Sequence, residues 1–99
     1  MIIVHDIFVC KPGNASKLAK LFKEVMTPEA NPELVNILTD MTGQYNRVIM
    51  VSQFDSLTAY DEAFKKYMNP TPEMQEAMKK MENYTDMYLT GSREIYRVW

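Results

Sequence analysis

The run from Gly43 to Tyr60 constrains the fold more than any other part of the chain, because a turn, a strand and a helix start follow one another there without a break. Gly43 accepts the positive φ of a hairpin turn, a backbone region costly for residues that carry a Cβ. Val48 to Val51 is an apolar, partly β-branched run that fits a strand covered on both faces. Asp55 or Ser56 then offers a side-chain oxygen to the free N–H groups of a helix start. Upstream, Glu33–Thr42 alternates Val35, Ile37, Thr39 and Met41 against Asn36, Leu38 and Asp40. It is expected to be a strand that Gly43-Gln44 turns back into Arg47–Phe54 as an antiparallel hairpin.

The remaining elements are read in order. Met1–Cys10 has the Ile, Val and Phe content of a strand. Ile3, Ile7 and Val9 occupy one face, with His5; Ile2, Val4 and Phe8 occupy the other, with Asp6. A central strand apolar on both sides is expected, and its two polar residues need partners or water. Lys11-Pro12-Gly13-Asn14 is a turn, with Asn14 or Ser16 as cap. Leu18, Leu21, Phe22, Val25 and Met26 form the buried stripe of the amphipathic helix that follows, with Lys17, Lys20 and Lys23 on its solvated side. Thr27-Pro28 and Asn31-Pro32 end it. Ser56 opens a second helix with the stripe Leu57, Tyr60, Ala63, Phe64, Tyr67 and Met68. Asn69-Pro70-Thr71-Pro72 breaks it, and a third helix carries Met74, Ala77, Met78 and Met81 as adaptable packing. Asn83–Thr90 reads as either a helix end or a short strand. Gly91-Ser92 reads as a turn, and Glu94–Trp99 as a last strand.

The order β-α-β-β-α-(α)-β is that of an α+β fold of the ferredoxin-like, split βαβ plan, one domain over residues 1–99, with its helices on one face of an antiparallel sheet. That plan leaves the other sheet face bare. A first strand apolar on both faces therefore predicts a homodimer in which two sheets pack face to face. The 99 residues suffice for one modest core, burying roughly two-thirds of the unfolded surface. A net charge of −2 argues against a nucleic-acid or anionic-membrane surface. Cys10 is the one cysteine, so no intrachain disulfide forms, and a small buried apolar role is expected for it. With no basic leader and no apolar run near the roughly 20 residues of a membrane span, a cytoplasmic protein is expected.

Gly43, Asn46, Arg47 and Val48, followed by Asp55-Ser56-Leu57 and Ala59, resemble the hairpin, strand and helix start of the NIPSNAP family, and Lys11-Pro12-Gly13 resembles its first turn. The likeness covers roughly residues 2–66. It implies the dimeric α+β barrel superfamily, which also includes antibiotic biosynthesis monooxygenase-like and haem-degrading proteins with a cleft between sheet and helices. The family usually carries an aromatic residue where Ser52 stands, and a basic residue and a Tyr near Asp6 and Phe8. The haem-degrading members' Asn, Trp and His have no counterpart set: Asp6 stands at about the Asn position, no Trp precedes Trp99, and no His follows His5.

The candidate catalytic residues are Asp6 and His5. The first would act as a base if burial disfavoured its charge, and the second carries an imidazole, the usual general base near neutral pH. Their ordinary roles would be a carboxylate paired with Arg47, Arg93 or Arg97 and a hydrogen-bonded sheet or interface histidine. Adjacent on one strand, they point to opposite faces and make a poor dyad. Asp6, His5, Asn46, Arg47, Ser52 and Tyr60 are the candidate ligand-binding residues; for Asn46 and Arg47, hairpin structure is the competing role. One His and one Cys give no basis for a metal site, and no cofactor is expected. The leading expectation is a protein that binds a small hydrophobic molecule. A cofactor-independent monooxygenase or isomerase and a purely structural dimer are the alternatives.

Overall fold

β1 (Ile2–Cys10) is hydrogen-bonded on both edges, antiparallel to β3 (Arg47–Phe54) on one side and to β4 (Tyr88–Arg97) on the other. With β2 (Leu34–Thr39) outside β3, the computed structural model has a four-stranded antiparallel sheet in the order β2-β3-β1-β4. The described residues are 1–42 and 45–99; the predicted turn residues Gly43 and Gln44 lie outside them. Three helices, α1 (Ala15–Val25), α2 (Leu57–Met68) and α3 (Pro72–Lys80), complete the predicted ferredoxin-like α+β order. Among the described residues, no helix is long and apolar enough to cross a membrane.

The core lies where α1 crosses β2 and β3. Leu18 and Phe22 of the predicted stripe are fully buried against Val48, Cys10 and Met50. Val4 and Ile2 extend the same side of β1. Cys10 therefore has the packing role expected of it. Burial pushes its thiol pKa up, with the charge of Asp40 adding to the shift, so the nucleophilic thiolate is disfavoured. Helix starts follow the local chemistry in two of three cases. The Ser56 hydroxyl accepts from the Ala59 N–H at 3.1 Å, and the Thr71 hydroxyl accepts from the Met74 N–H with Pro72 in the first turn. Asn14 precedes α1 without a side-chain cap hydrogen bond.

The structure departs from the sequence reading at three places. Gly91-Ser92 is not a turn but the middle of β4, a ten-residue strand. Gly91 pairs with Phe8 and lies against the edge-to-face rings of Phe8 and Tyr88, 4.9 Å apart, which a methyl there would meet at ordinary contact distance. β2 is shorter than Glu33–Thr42, and its alternation breaks at an irregularity between Leu34 and Asn36. Leu34 and Ile37 thus share the core side while Val35 is left exposed. α2 has no buried residue, and Leu57 and Met68 at the ends of its predicted stripe are 60% and 70% exposed. The helix stands off the sheet instead of closing onto it.

Phe22→Ala is expected to cost about 3–5 kcal/mol, a large share of a small domain's stability. Gly91→Ala, which adds a methyl at ordinary contact distance in an extended strand, should cost under about 1 kcal/mol. Urea unfolding of both variants checks the pair, and a Gly91→Ala loss as large as that of Phe22→Ala would contradict the placement of β4.

Candidate functional site

Because α2 stands off, a cavity of about 550 Å³ opens between the helices and the covered face of the sheet. The volume is within the range of small-molecule sites. Its floor comes from alternate residues of three strands, Val4, Asp6 and Phe8 of β1, Met50, Ser52 and Phe54 of β3, and Arg93 of β4. Period-two alternation sends these side chains toward the helices. The roof comes from Tyr60, Ala63, Phe64 and Tyr67 of α2 and from Met78 and Met81 around α3. This is why the α2 stripe is apolar yet unburied: it faces the cavity.

The polar centre is built on one cross-strand pair. Asp6 and Arg93 are register partners, and Arg93 Nε donates to Asp6 Oδ1 at 2.5 Å. Arg93 Nη1 donates to the Tyr60 hydroxyl at 2.6 Å, and the guanidinium carbon lies 5.8 Å and 5.6 Å from the ring centres of Tyr60 and Phe64. The stacking and hydrogen bonds fix the planar cation in place. Its hydrogen bond to Asp6 holds the guanidinium above its ordinary pKa. Nearby, the Tyr67 hydroxyl donates to Asn31 Oδ1. Burial raises the Tyr67 pKa, and the carboxylates of Glu33 and Asp6 raise it further by disfavouring the phenolate.

Of the sequence candidates, the cavity brings together Asp6, Ser52 and Tyr60. His5 is on the opposite sheet face, edge-on to Tyr96 with ring centres 5.1 Å apart, and Asn46 and Arg47 are at the far end of the β2–β3 hairpin. Asn46 has a left-handed φ of 59°, and its carbonyl accepts from the Cys10 N–H. The Arg47 N–H donates to Asp40 Oδ1 at 3.0 Å, and the two side chains form an ion pair at 3.6 Å. Arg93 was visible in the sequence as a possible partner of Asp6. A turn at Gly91-Ser92 would take it off the sheet, whereas the continuous β4 pairs it with Asp6 on the cavity floor. Glu33 and Asn31 carry no local signal that marks them as neighbours of Asp6, whereas Tyr67 shares the predicted α2 stripe with Tyr60 and lines the cavity with it.

No protein-family model and no curated protein sequence matches the chain. Its fold does match solved structures. A NIPSNAP family protein from Agrobacterium tumefaciens is similar with a TM-score of 0.79 at 16% identity, over 97% of this chain and 90% of that one. An uncharacterized NIPSNAP domain protein from Burkholderia xenovorans gives 0.78 at 12% identity, over 100% and 95%. A structure described as an antibiotic biosynthesis monooxygenase gives 0.62 at 13% identity, over 100% and 99%. These likenesses establish the fold, and the neighbours are of the kinds that the Gly43–Tyr60 and Lys11–Gly13 resemblance implies.

The raised phenol of Tyr67 gives a pH test. The protonated form is favoured in the fold, so its contribution to stability is complete below the unfolded tyrosine pKa of about 10 and is lost as pH rises through the higher folded value. In an ultraviolet titration, Tyr67, identified by difference from Tyr67→Phe, should ionise above pH 10, and Glu33→Gln should move it down. An ordinary Tyr67 value unaffected by Glu33→Gln would contradict this arrangement.

Proposed function

We propose that this chain is a NIPSNAP-like, cytoplasmic dimeric α+β barrel protein that binds a small hydrophobic molecule between its helices and sheet. The observation that supports this most is the cavity of about 550 Å³ whose walls are mainly Phe, Tyr and Met, with one fixed polar centre at Asp6, Arg93 and Tyr60. An apolar enclosure with a few convergent polar groups is the usual form of a small-molecule site. In this proposal the apolar walls supply affinity, the polar side chains of the lining orient a polar group of the ligand, and Ser52 keeps the floor open where an aromatic side chain would fill it. His5, on the opposite face of β1, and Asn46 and Arg47, at the hairpin end, act on the structural side.

The hydrogen-bonded chain Asp6–Arg93–Tyr60 favours one second reading, a cofactor-independent monooxygenase or isomerase with Asp6 as base. The Asp6 carboxylate is committed to Arg93, so it would have to exchange that partner for a substrate proton. Binding without turnover needs no such exchange and is the simpler assignment.

The dimer follows from the opposite sheet face. Ile3, Ile7 and Val9 of β1 and Ile49 and Val51 of β3 lie there, none fully buried, beside Leu38 at 43% exposure. Packing this face on a second copy removes it from water. Sedimentation at micromolar concentration should give a dimer, and Ile49→Lys should give a folded monomer; a monomeric parent would overturn the assembly.

The cavity is tested with the neutral, environment-sensitive fluorophore prodan. Bound prodan should blue-shift and brighten, and Ser52→Phe should weaken its binding at least about tenfold with the circular dichroism spectrum unchanged. Equal binding by parent and variant would remove the cavity as the site.

A further inference from the structure

We infer that the cavity selects hydrophobic molecules bearing a positive charge, such as aryl-alkyl amines, and discriminates against carboxylates of the same shape. The inference rests on the cavity being the binding site and adds the charge of its ligand. Three carboxylates, Asp6, Glu33 and Glu82, face one guanidinium, Arg93, along the lining. The Arg93 charge is already paired with the Asp6 carboxylate through Nε, its Nη1 donates to Tyr60, and its guanidinium carbon lies over the Tyr60 and Phe64 rings. An incoming carboxylate would have to compete for a cation already paired with a carboxylate.

Glu33 and Glu82 are in the opposite condition. Among the described residues neither forms a salt bridge, and Glu33 is half-buried at the wall. Glu33 and Tyr67 line the same cavity, and after burial the Glu33 charge is the next cause that raises the Tyr67 pKa. Low-dielectric aromatic walls strengthen such a field relative to water. The Tyr67 ring beside Glu33 adds a π face suited to an ammonium group. A ligand whose apolar body fills the Phe and Met walls and whose ammonium group meets Glu33 thus satisfies the carboxylate that the protein leaves unpaired.

Three probes of one shape separate the charge preference from the cavity itself: 1-naphthalenemethanol, 1-naphthylmethylamine and 1-naphthoate, titrated calorimetrically into the full chain at neutral pH and low salt. The neutral alcohol should bind, the amine at least about tenfold tighter than the naphthoate, and added salt should narrow the difference. Glu33→Gln should remove most of the preference, with the circular dichroism spectrum unchanged as the check that the variant is folded. Binding of the alcohol with the naphthoate equal to or tighter than the amine overturns the charge preference and leaves the cavity standing. An amine preference untouched by Glu33→Gln overturns the role of Glu33. Failure of all three probes to bind overturns the cavity as a site, and the preference with it.

Discussion

Everything in this molecule depends on β1 being a central strand with two apolar faces. Its backbone is hydrogen-bonded to β3 and β4, so it cannot move without disrupting the sheet. On one face Val4 and Phe8 support both the core and the cavity floor; on the other, Ile3, Ile7 and Val9 are left without a helix above them. The same alternation that makes the strand cohesive separates Asp6 from His5. It gives Asp6 to the cavity and His5 to the open face.

The helices divide the covered face unequally. α1 closes tightly because Leu18 and Phe22 reach the sheet at a point where Val48 and Cys10 fill the space beneath. α2 is capped and amphipathic but packs sparsely on the sheet, chiefly along β3 with a side-chain link to Arg93 of β4, so its Tyr and Phe side chains bound a cavity rather than a core. Unlike an empty gap in a core, this space has a built polar floor: a cross-strand ion pair, a stacked guanidinium and a tyrosine hydroxyl. Exposed ion pairs contribute little to stability, commonly about 0–1 kcal/mol. Arg93 is nearly half exposed, so orientation of a bound group is a better account of the arrangement than stabilisation of the fold.

Element order, the helix start at Ser56, Pro72 in the first turn of α3, the α1 stripe and the opposite orientations of His5 and Asp6 were legible because each depends on local periodicity or local backbone chemistry; the Thr71 cap was not foreseen. Where tertiary packing decides, the sequence was silent or misleading. Gly91-Ser92 has turn composition, yet Phe8 and Tyr88 use the space beside Gly91 and the strand runs on. Leu57 and Met68 match the period of a buried stripe but have no sheet beneath them. The half of the site carried by Asp6, Ser52 and Tyr60 was within reach of sequence reasoning. Tyr67 was within reach too, on the α2 stripe with Tyr60, whereas the part carried by Arg93, Glu33 and Asn31 depends on β4 register and on the connector after α1, for which no spacing rule exists.

The methionines allow the central claim, a ligand-accepting cavity between α2, α3 and the sheet, to be tested directly. Met26, Met50, Met78 and Met81 line it, whereas Met1, Met41 and Met68 are exposed outside it. Methyl NMR of protein carbon-13 labelled at methionine, titrated with 1-naphthalenemethanol, should shift the four lining methyls and leave the three outside unchanged. Shifts spread evenly over all of them, or confined to Met1, Met41 and Met68, would contradict the account.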